Sequence, residues 1–183
     1  MKKFIISIDQ GTTSSRAILF DLKGKPVFSS QKEFTQYFPK SGWVEHDPEE
    51  IWSTTKKTLK DVISKSKKLK GRILTIGITN QRETTVLWDK KTGKAVYNAI
   101  VWQDRRQEEF CKKLRKQNNE TLIFNRTGLL IDSYFSGIKI KWVLDNVPLA
   151  KKLMNKKQLL FGTIDSFLIW RLTKGKVHAT DAT

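Results

Sequence analysis

Three short β-type segments joined by tight turns begin the chain, and they restrict its fold more than any other feature. Residues 4–8 are an apolar run rich in isoleucine, and residues 17–20 and 27–32 are two further candidate strands. Turn sequences containing Gly, Asp, Ser and Thr separate the three runs. Because such short connections join neighbouring strands, this segment predicts an antiparallel three-stranded meander.

A long amphipathic helix is predicted after the meander. Asp47 can cap its N-terminus, Pro48 suits its first position, and two glutamates follow in the first turn. Apolar residues then recur at helical spacing as far as Ile63, and Gly71 ends the segment. Residues 73–79 are a continuous apolar run, for which we expect a strand covered on both faces.

The order β-β-β-α-β predicts an α/β fold of the ribonuclease H-like or actin-like class. We expect a mixed sheet that begins with the meander and is flanked by helices. A hairpin is predicted at residues 85–102, and the chain beyond Asp104 is predicted to be mostly helical. The expected helices lie at residues 107–116, 137–146, 148–156 and 164–172, with a short strand at 159–162. No repeat or domain boundary is evident, so residues 1–183 are interpreted as one lobe.

Composition and charge exclude several classes of protein. Hydrophobic residues make up 38% of the chain, with 6 Trp and 10 Phe, which is enough for a folded core. The apolar run at residues 4–8 is too short for a signal peptide or a membrane span. The single cysteine, Cys111, cannot form an internal disulfide, so we expect a reducing, cytoplasmic compartment.

The net charge of +17 could indicate a nucleic-acid partner or a lysine-rich surface that attracts anionic substrates. The lysines are spread along the whole chain, and aromatic residues do not alternate with arginines as on a base-stacking surface. The sequence therefore favours no nucleic-acid partner.

A candidate phosphate-binding turn follows the first strand, with the sequence DQGTTSSR at residues 9–16. Gly11 permits a tight turn with exposed N–H groups, and Thr12, Thr13 and Ser14 add hydroxyl donors. Arg16 offers a guanidinium suited to phosphate oxygens, and Asp9 offers an oxygen ligand for Mg²⁺. The alternative is an ordinary polar hairpin turn. Neither a Walker sequence nor a G-x-G-x-x-G sequence occurs.

Five segments in order, beginning with residues 9–16, resemble the FGGY carbohydrate kinases. The other four are GWVEHDP at 42–48, GITNQRET at 77–84, NAIVWQDRR at 98–106 and YFSGIKIKWVLDN at 134–146. The last fits the family signature of a small residue, then Lys and Trp three apart, then Asp-Asn. The resemblance covers the whole chain and implies an ATP- and Mg²⁺-dependent kinase of a small sugar or polyol.

The resemblance also assigns roles to individual residues. Thr12, Thr13, Ser14 and Arg16 would bind the ATP or ADP phosphates, and Asp9 would anchor Mg²⁺. The polyol-binding residues would be Arg82, Glu83, Trp102 and Tyr134. Residues 80–84 and 102–104 favour glycerol over xylulose or gluconate as the acceptor, giving sn-glycerol 3-phosphate.

The resemblance further implies that a second lobe, absent here, carries the catalytic aspartate base and most of the adenosine pocket. The chain alone is therefore expected to be inactive, with no catalytic residue of its own. Whether the full-length protein is a homo-oligomer stays open.

Each polyol-binding assignment has a structural alternative. An adjacent Arg-Glu pair is often a surface ion pair, a Trp at a strand end is often core, and Tyr134 could simply pack. His46 is interpreted as part of the helix entry rather than as a metal ligand, because no ligand cluster with recognised spacing lies nearby in sequence.

Two rival functions remain at this stage. One is a ribonuclease H-like nuclease in which Asp9, Glu83 and Asp104 bind two metal ions. The other is a non-catalytic remnant with an exposed apolar docking surface.

Overall fold

The computed structural model describes residues 1–182, which form two compact units. Unit 1 contains residues 1–36, 46–81 and the segment that begins at Ile164, and unit 2 contains residues 37–45 and 82–163. Because each unit is assembled from segments far apart in the sequence, no stretch of linker composition marks a boundary. This interleaving explains why no boundary between two units is evident in the sequence.

The structure contains eight strands and six helices within residues 1–182. The strands are β1 (Lys2–Gln10), β2 (Ser14–Asp21), β3 (Pro26–Glu33), β4 (Glu45–His46), β5 (Gly71–Asn80), β6 (Thr85–Asp89), β7 (Ala99–Ile100) and β8 (Leu159–Thr163). The helices are α1 (Pro48–Lys68), α2 (Glu108–Lys116), α3 (Glu120–Thr127), α4 (Ser136–Asn146), α5 (Pro148–Asn155) and α6 (Ile164–Leu172).

The predicted meander is confirmed in the first sheet, whose strand order is β3-β2-β1-β5. The three meander strands pair antiparallel, and β5 pairs parallel to β1, so the sheet is mixed. From Phe4 onward every second residue of β1 is buried, and Phe4, Ile6 and Ile8 pack with Leu19 and Val62 in one apolar core. The pairing of Gln10 with Ser15 places the turn of residues 11–14 at the end of this sheet.

Helix α1 begins as predicted. The Asp47 side chain accepts a hydrogen bond of 2.8 Å from Glu49 N, and Pro48 is the first helical residue. The apolar residues at helical spacing supply its buried face, including Ile51, Leu59 and Val62. The predicted strand at 159–162 and the helices beyond Asp104 are also present, with ends shifted by at most one residue.

The expectation that residues 73–79 are covered on both faces is wrong. Strand β5 lies at the edge of its sheet, and Leu74 and Ile76 remain 46% and 40% exposed. A continuous apolar run shows only that both faces of a strand could be buried. Both side chains are among the exposed large hydrophobic residues of the described chain.

A second sheet has the order β4-β7-β6-β8, so the strands form two sheets rather than one. The predicted hairpin is only partly present, because β7 is two residues long and Ala95 joins Trp88 by an isolated bridge. Strand β4 and helix α3 were not predicted. The apolar residues of α3, Leu122, Ile123 and Phe124, are consecutive and not at helical spacing, so its sequence lacks the pattern that predicts a helix. None of the helices described is long and apolar enough to cross a membrane.

The tight packing of Gly71 yields a stability prediction. A Cβ at this position would lie 2.1 and 2.5 Å from two ring atoms of Phe4, which is a core residue. We expect Gly71→Ala to reduce the free energy of unfolding by about 1–3 kcal/mol, because the ring cannot move without disturbing the core. The control is Gly77→Ala in the same strand, where a Cβ meets nothing within 4 Å. Equal urea midpoints for the two variants would contradict the prediction.

Candidate functional site

The candidate phosphate-binding residues lie together in unit 1, in the turn between β1 and β2. Gly11 N donates to Ser14 O at 3.0 Å and closes the turn. Asp9 and Arg16 are paired across the two strands, and Arg16 Nη2 lies 2.5 Å from Asp9 Oδ2. The Ser14 hydroxyl accepts from Gln31 Nε2 at 2.9 Å. The turn thus holds the predicted hydroxyl groups and one guanidinium at a partly exposed end of the sheet.

Asp9 fits a magnesium ion that is held mainly by phosphate oxygens and water. It is the only carboxylate in residues 9–16, and no group of three metal-binding side chains occurs in the described part of the chain. Mg²⁺ commonly binds through one or two carboxylates while keeping several waters. The Asp9 carboxylate is paired with Arg16. To bind a hydrated Mg²⁺ ion, Asp9 would give up this ion pair and serve as the single protein ligand.

The candidate polyol-binding residues lie in unit 2, where residues 82–84 connect two loops. Thr84 Oγ1 accepts from Trp102 N at 3.2 Å, which ties down the loop after β7. Glu83 Oε2 accepts from both Ser136 N and Ser136 Oγ at 2.7 Å, which ties down the start of α4. Residues 82–84 therefore hold the loops of Trp102 and Tyr134 together.

Glu83 has a structural role that the sequence did not reveal. The residue before α4 is Phe135, which cannot cap the helix, and the Glu83 carboxylate receives the first N–H instead. A negative charge is favourable at a helix N-terminus. The backbone of Glu83 has a φ of 64°, in the left-handed region that glutamate seldom adopts. The two hydrogen bonds from Ser136 thus hold a strained residue in place.

The side chains of Trp102 and Tyr134, which the resemblance assigns to the polyol site, contact each other. Their ring centroids are 6.0 Å apart in an edge-to-face arrangement, and both side chains are half-buried. Arg82 is exposed, and it forms no ion pair with Glu83 or any other described residue. The surface Arg-Glu pair considered as the alternative is therefore absent, and the Arg82 guanidinium is available to a ligand.

The three carboxylates considered for a nuclease site each have a different partner. Asp9 pairs with Arg16, Glu83 with Ser136, and Asp104 with Arg106. These separate pairings disfavour a two-metal site, and no group of three metal-binding side chains occurs in residues 1–182.

Comparison with known proteins decides the family. Residues 4–183 match the model of the N-terminal domain of the FGGY family of carbohydrate kinases. The chain belongs to this family. A glycerol kinase of Alkaliphilus metalliredigens is 59% identical over 181 residues, which is 99% of this chain and 36% of the relative. The chain therefore spans about a third of the length of the curated relatives it matches.

Solved structures confirm the expected ribonuclease H-like or actin-like fold. A glycerol kinase of Plasmodium falciparum, solved with ADP, superposes with a TM-score of 0.89 at 39% identity, covering 95% of this chain and 35% of that one. A gluconate kinase of Lactobacillus acidophilus gives a TM-score of 0.79 at 25% identity, covering 93% of this chain and 33% of that one.

A buried ion cluster in this FGGY kinase chain was not predicted. Arg106 Nη2 lies 2.7 Å from Glu45 Oε1 and 2.9 Å from Asp104 Oδ2, and all three side chains are at most 3% exposed. The guanidinium carbon is 3.9 Å from the ring centroid of Trp43 and 4.4 Å from that of Trp142. Burial alone would lower the pKa of Arg106, but the bonds to Asp104 and Glu45 raise it. The only local signal for this cluster is the adjacency of the charged residues 104–106 at the end of the segment 98–106.

Lys139, the lysine of the family signature, is also buried. Its ammonium group donates to the carbonyl of Tyr134 and lies 5.8 Å from the centre of the Tyr134 ring. Burial lowers the pKa of Lys139 to about 8, against the opposing effect of the carboxylates of Glu83, Asp104 and Asp132. The buried Lys139 therefore stabilises the loop that contains Tyr134.

Removal of Arg106 is expected to be strongly destabilising. Arg106→Ala would leave Glu45 and Asp104 buried without their counter-charge, so we expect a loss of about 3–5 kcal/mol in the free energy of unfolding. The matched control is the neighbouring Arg105→Ala, whose exposed pair with Asp132 contributes at most about 1 kcal/mol. Urea unfolding of both variants tests this, and similar losses would show that the buried cluster is not a special determinant of stability.

Lys139 should make stability depend on alkaline pH. Its native pKa of about 8 lies below the ordinary value of 10.5, so the unfolded chain binds more protons between these values. The free energy of unfolding of the wild type, relative to Lys139→Met, should therefore rise from pH 8 to about pH 10.5. The control variant is Lys141→Met, which removes an exposed lysine two residues away. The absence of this rise for Lys139→Met, or an equal rise for the control, would contradict the prediction.

Proposed function

We propose that the protein catalyses ATP-dependent phosphorylation of glycerol to sn-glycerol 3-phosphate in the cytoplasm, as part of glycerol catabolism. The observation that carries the proposal is the arrangement of residues 82–84, which join the Trp102 and Tyr134 loops and leave the Arg82 guanidinium available. Identity of 59% to a named glycerol kinase over nearly the whole chain supports it.

Glycerol is small and carries three hydroxyl groups, so its site needs few but well-placed polar groups. Arg82 would donate to a hydroxyl oxygen, and the Glu83 carboxylate, already fixed by Ser136, would accept from a hydroxyl hydrogen. The rings of Trp102 and Tyr134 would contact the carbon chain. A site that hydrogen-bonds hydroxyl groups rejects analogues that lack them, because its polar groups are then unpaired.

The turn of residues 9–16 would bind the nucleotide phosphates through Thr12, Thr13, Ser14 and Arg16. Phosphoryl transfer depends mainly on positioning and on the neutralisation of phosphate charge. Bound Mg²⁺, anchored by Asp9, would supply part of that neutralisation. Glu83 caps α4 and Asp104 is buried beside Arg106, so neither carboxylate is placed to act as the base. We therefore propose that residues 1–183 alone have negligible kinase activity.

The non-catalytic alternative has one supporting observation. Leu74 and Ile76 are exposed on edge strand β5, and such apolar side chains favour association with another surface. Ligand binding distinguishes the two proposals, because a remnant that only associates has no reason to recognise a polyol.

Glycerol binding to the 183-residue chain tests the proposed function. We expect a saturable change in tryptophan fluorescence with glycerol but not with xylulose or gluconate, and we expect Trp102→Phe to remove most of it. Arg82→Ala should weaken binding by about tenfold or more, because a charged hydrogen-bond donor is lost. Arg126→Ala removes another exposed arginine of unit 2 and should leave binding unchanged. Equal effects of the two arginine variants, or equal responses to all three ligands, would contradict the assignment.

A further inference from the structure

A buried polar network lies directly beneath the phosphate-binding turn in unit 1. It contains Gln10, Gln36, His46 and Gln81, of which Gln10 and His46 are completely buried. His46 Nε2 lies 2.6 Å from Gln36 Oε1, and His46 Nδ1 lies 3.3 Å from Gln81 Nε2. Nothing in the proposed function uses these side chains, and His46 was interpreted from sequence only as part of the helix entry.

Both glutamine partners of His46 reach the backbone of the turn. Gln36 Nε2 donates to Thr12 O at 3.0 Å, and Gln81 Nε2 donates to Gly11 O at 3.2 Å. Gln10 Nε2 also donates to Gly11 O, at 2.9 Å. Two successive carbonyl groups of the turn are therefore held by side-chain amides that contact the imidazole or one another.

The hydrogen bonds determine the tautomer of His46. Gln36 Nε2 faces two backbone carbonyls, those of Thr12 and Phe34, which can only accept. The amide oxygen of Gln36 must therefore face the imidazole, so His46 Nε2 must carry the proton and donate it. His46 Nδ1 is then an acceptor for Gln81 Nε2, whose two N–H groups it shares with Gln10 Oε1 at 3.0 Å and Gly11 O at 3.2 Å. Burial lowers the pKa of His46 to about 4, which agrees with a neutral ring.

The position of the carbonyls fixes the direction of the following N–H groups. In a trans peptide the C=O and the next N–H point in opposite directions, and the described chain contains no cis peptide bond. The carbonyls of Gly11 and Thr12 are directed into the network, so the N–H groups of Thr12 and Thr13 are directed away from it. For Thr13 the N–H has no hydrogen-bond partner in residues 1–182. Such N–H groups are suited to bind phosphate oxygens.

We propose that His46 is a positioning residue: as a neutral, Nε2-protonated imidazole it acts through Gln36 and Gln81 on the carbonyls of Gly11 and Thr12, and so directs the Thr13 N–H group toward nucleotide phosphates. This inference rests on the proposed function and assigns a second layer to the same site. It also explains why a histidine is completely buried between Glu45 and Asp47 with both ring nitrogens hydrogen-bonded, an arrangement that leaves no lone pair for a metal ion.

The first test measures the network in the 183-residue chain without any ligand. Nitrogen-15 NMR of the imidazole should show a protonated Nε2 and an unprotonated Nδ1 at neutral pH. His46→Phe and Gln36→Leu should each shift the amide signals of Thr12 and Thr13, whereas His46→Gln, which retains one donor and one acceptor, should shift them much less. A protonated Nδ1, or unchanged Thr12 and Thr13 signals in both disruptive variants, would overturn the inference.

The second test measures phosphate binding, with Mg·ATP and inorganic tripolyphosphate as separate probes. We expect His46→Phe and Gln36→Leu each to weaken binding by about tenfold, equivalent to about 1.4 kcal/mol. The double variant should bind no more weakly than the single variant with the lower affinity, because both substitutions break the same network. His46→Gln should retain binding, and the exposed Gln117→Leu should have no effect. Glycerol binding and thermal unfolding, measured for each variant, separate a local effect from general unfolding.

The outcomes distinguish this inference from the proposed function. Wild-type binding that persists unchanged in both disruptive variants would overturn the role of His46 and leave the kinase proposal intact. A wild-type chain that binds neither probe would count against the phosphate role of the turn. In that case the imidazole tautomer and the Thr12 and Thr13 signals still decide whether His46 positions the backbone.

Discussion

A buried hydrogen-bonding group is costly to leave without a partner inside the protein, and this constraint shapes both candidate sites. In unit 2, Nε and Nη2 of Arg106 donate to Asp104 and Glu45, and its buried Nη1 has no hydrogen-bond partner among the described residues. Asp104 Oδ2 also accepts from Val44 N at 2.7 Å. Tyr97 donates to Glu45 Oε1, the oxygen that also accepts from Arg106, and Asn98 donates to Glu45 Oε2. The cluster therefore fixes the backbone on both sides of β7, next to the loop that carries Trp102.

The same principle positions exposed groups in each unit. Glu83 and Lys139 bond to the backbone around Tyr134, and the glutamines beside His46 bond to the backbone of residues 11 and 12. In both cases a side chain with a fixed partner holds a surface loop whose own polar groups face outward. Such support reduces the entropy that a loop loses when it binds a ligand, and a ligand-binding geometry is then present before binding.

The sequence predicted the elements that depend on local pattern and failed where distant contacts decide. The meander, helix α1 and the last three helices followed from periodicity, turn residues and caps. The exposure of Leu74 depends on which elements pack on β5, and local sequence does not determine that. Helix α3 lacks an apolar stripe, so its sequence does not predict a helix. The site residues could be named through family resemblance, but the capping of α4 by Glu83 joins positions 53 residues apart and has no local signal.

One NMR experiment tests the central claim, that each unit carries its own ligand-binding residues. The 183-residue chain, labelled with nitrogen-15, is titrated separately with glycerol and with Mg·ADP. We predict that glycerol shifts the signals of Arg82, Glu83, Tyr134 and the Trp102 indole, and that Mg·ADP shifts those of residues 11–16. Shifts confined to other residues, or the same residues responding to both ligands, would contradict the assignment of separate ligand-binding residues to each unit.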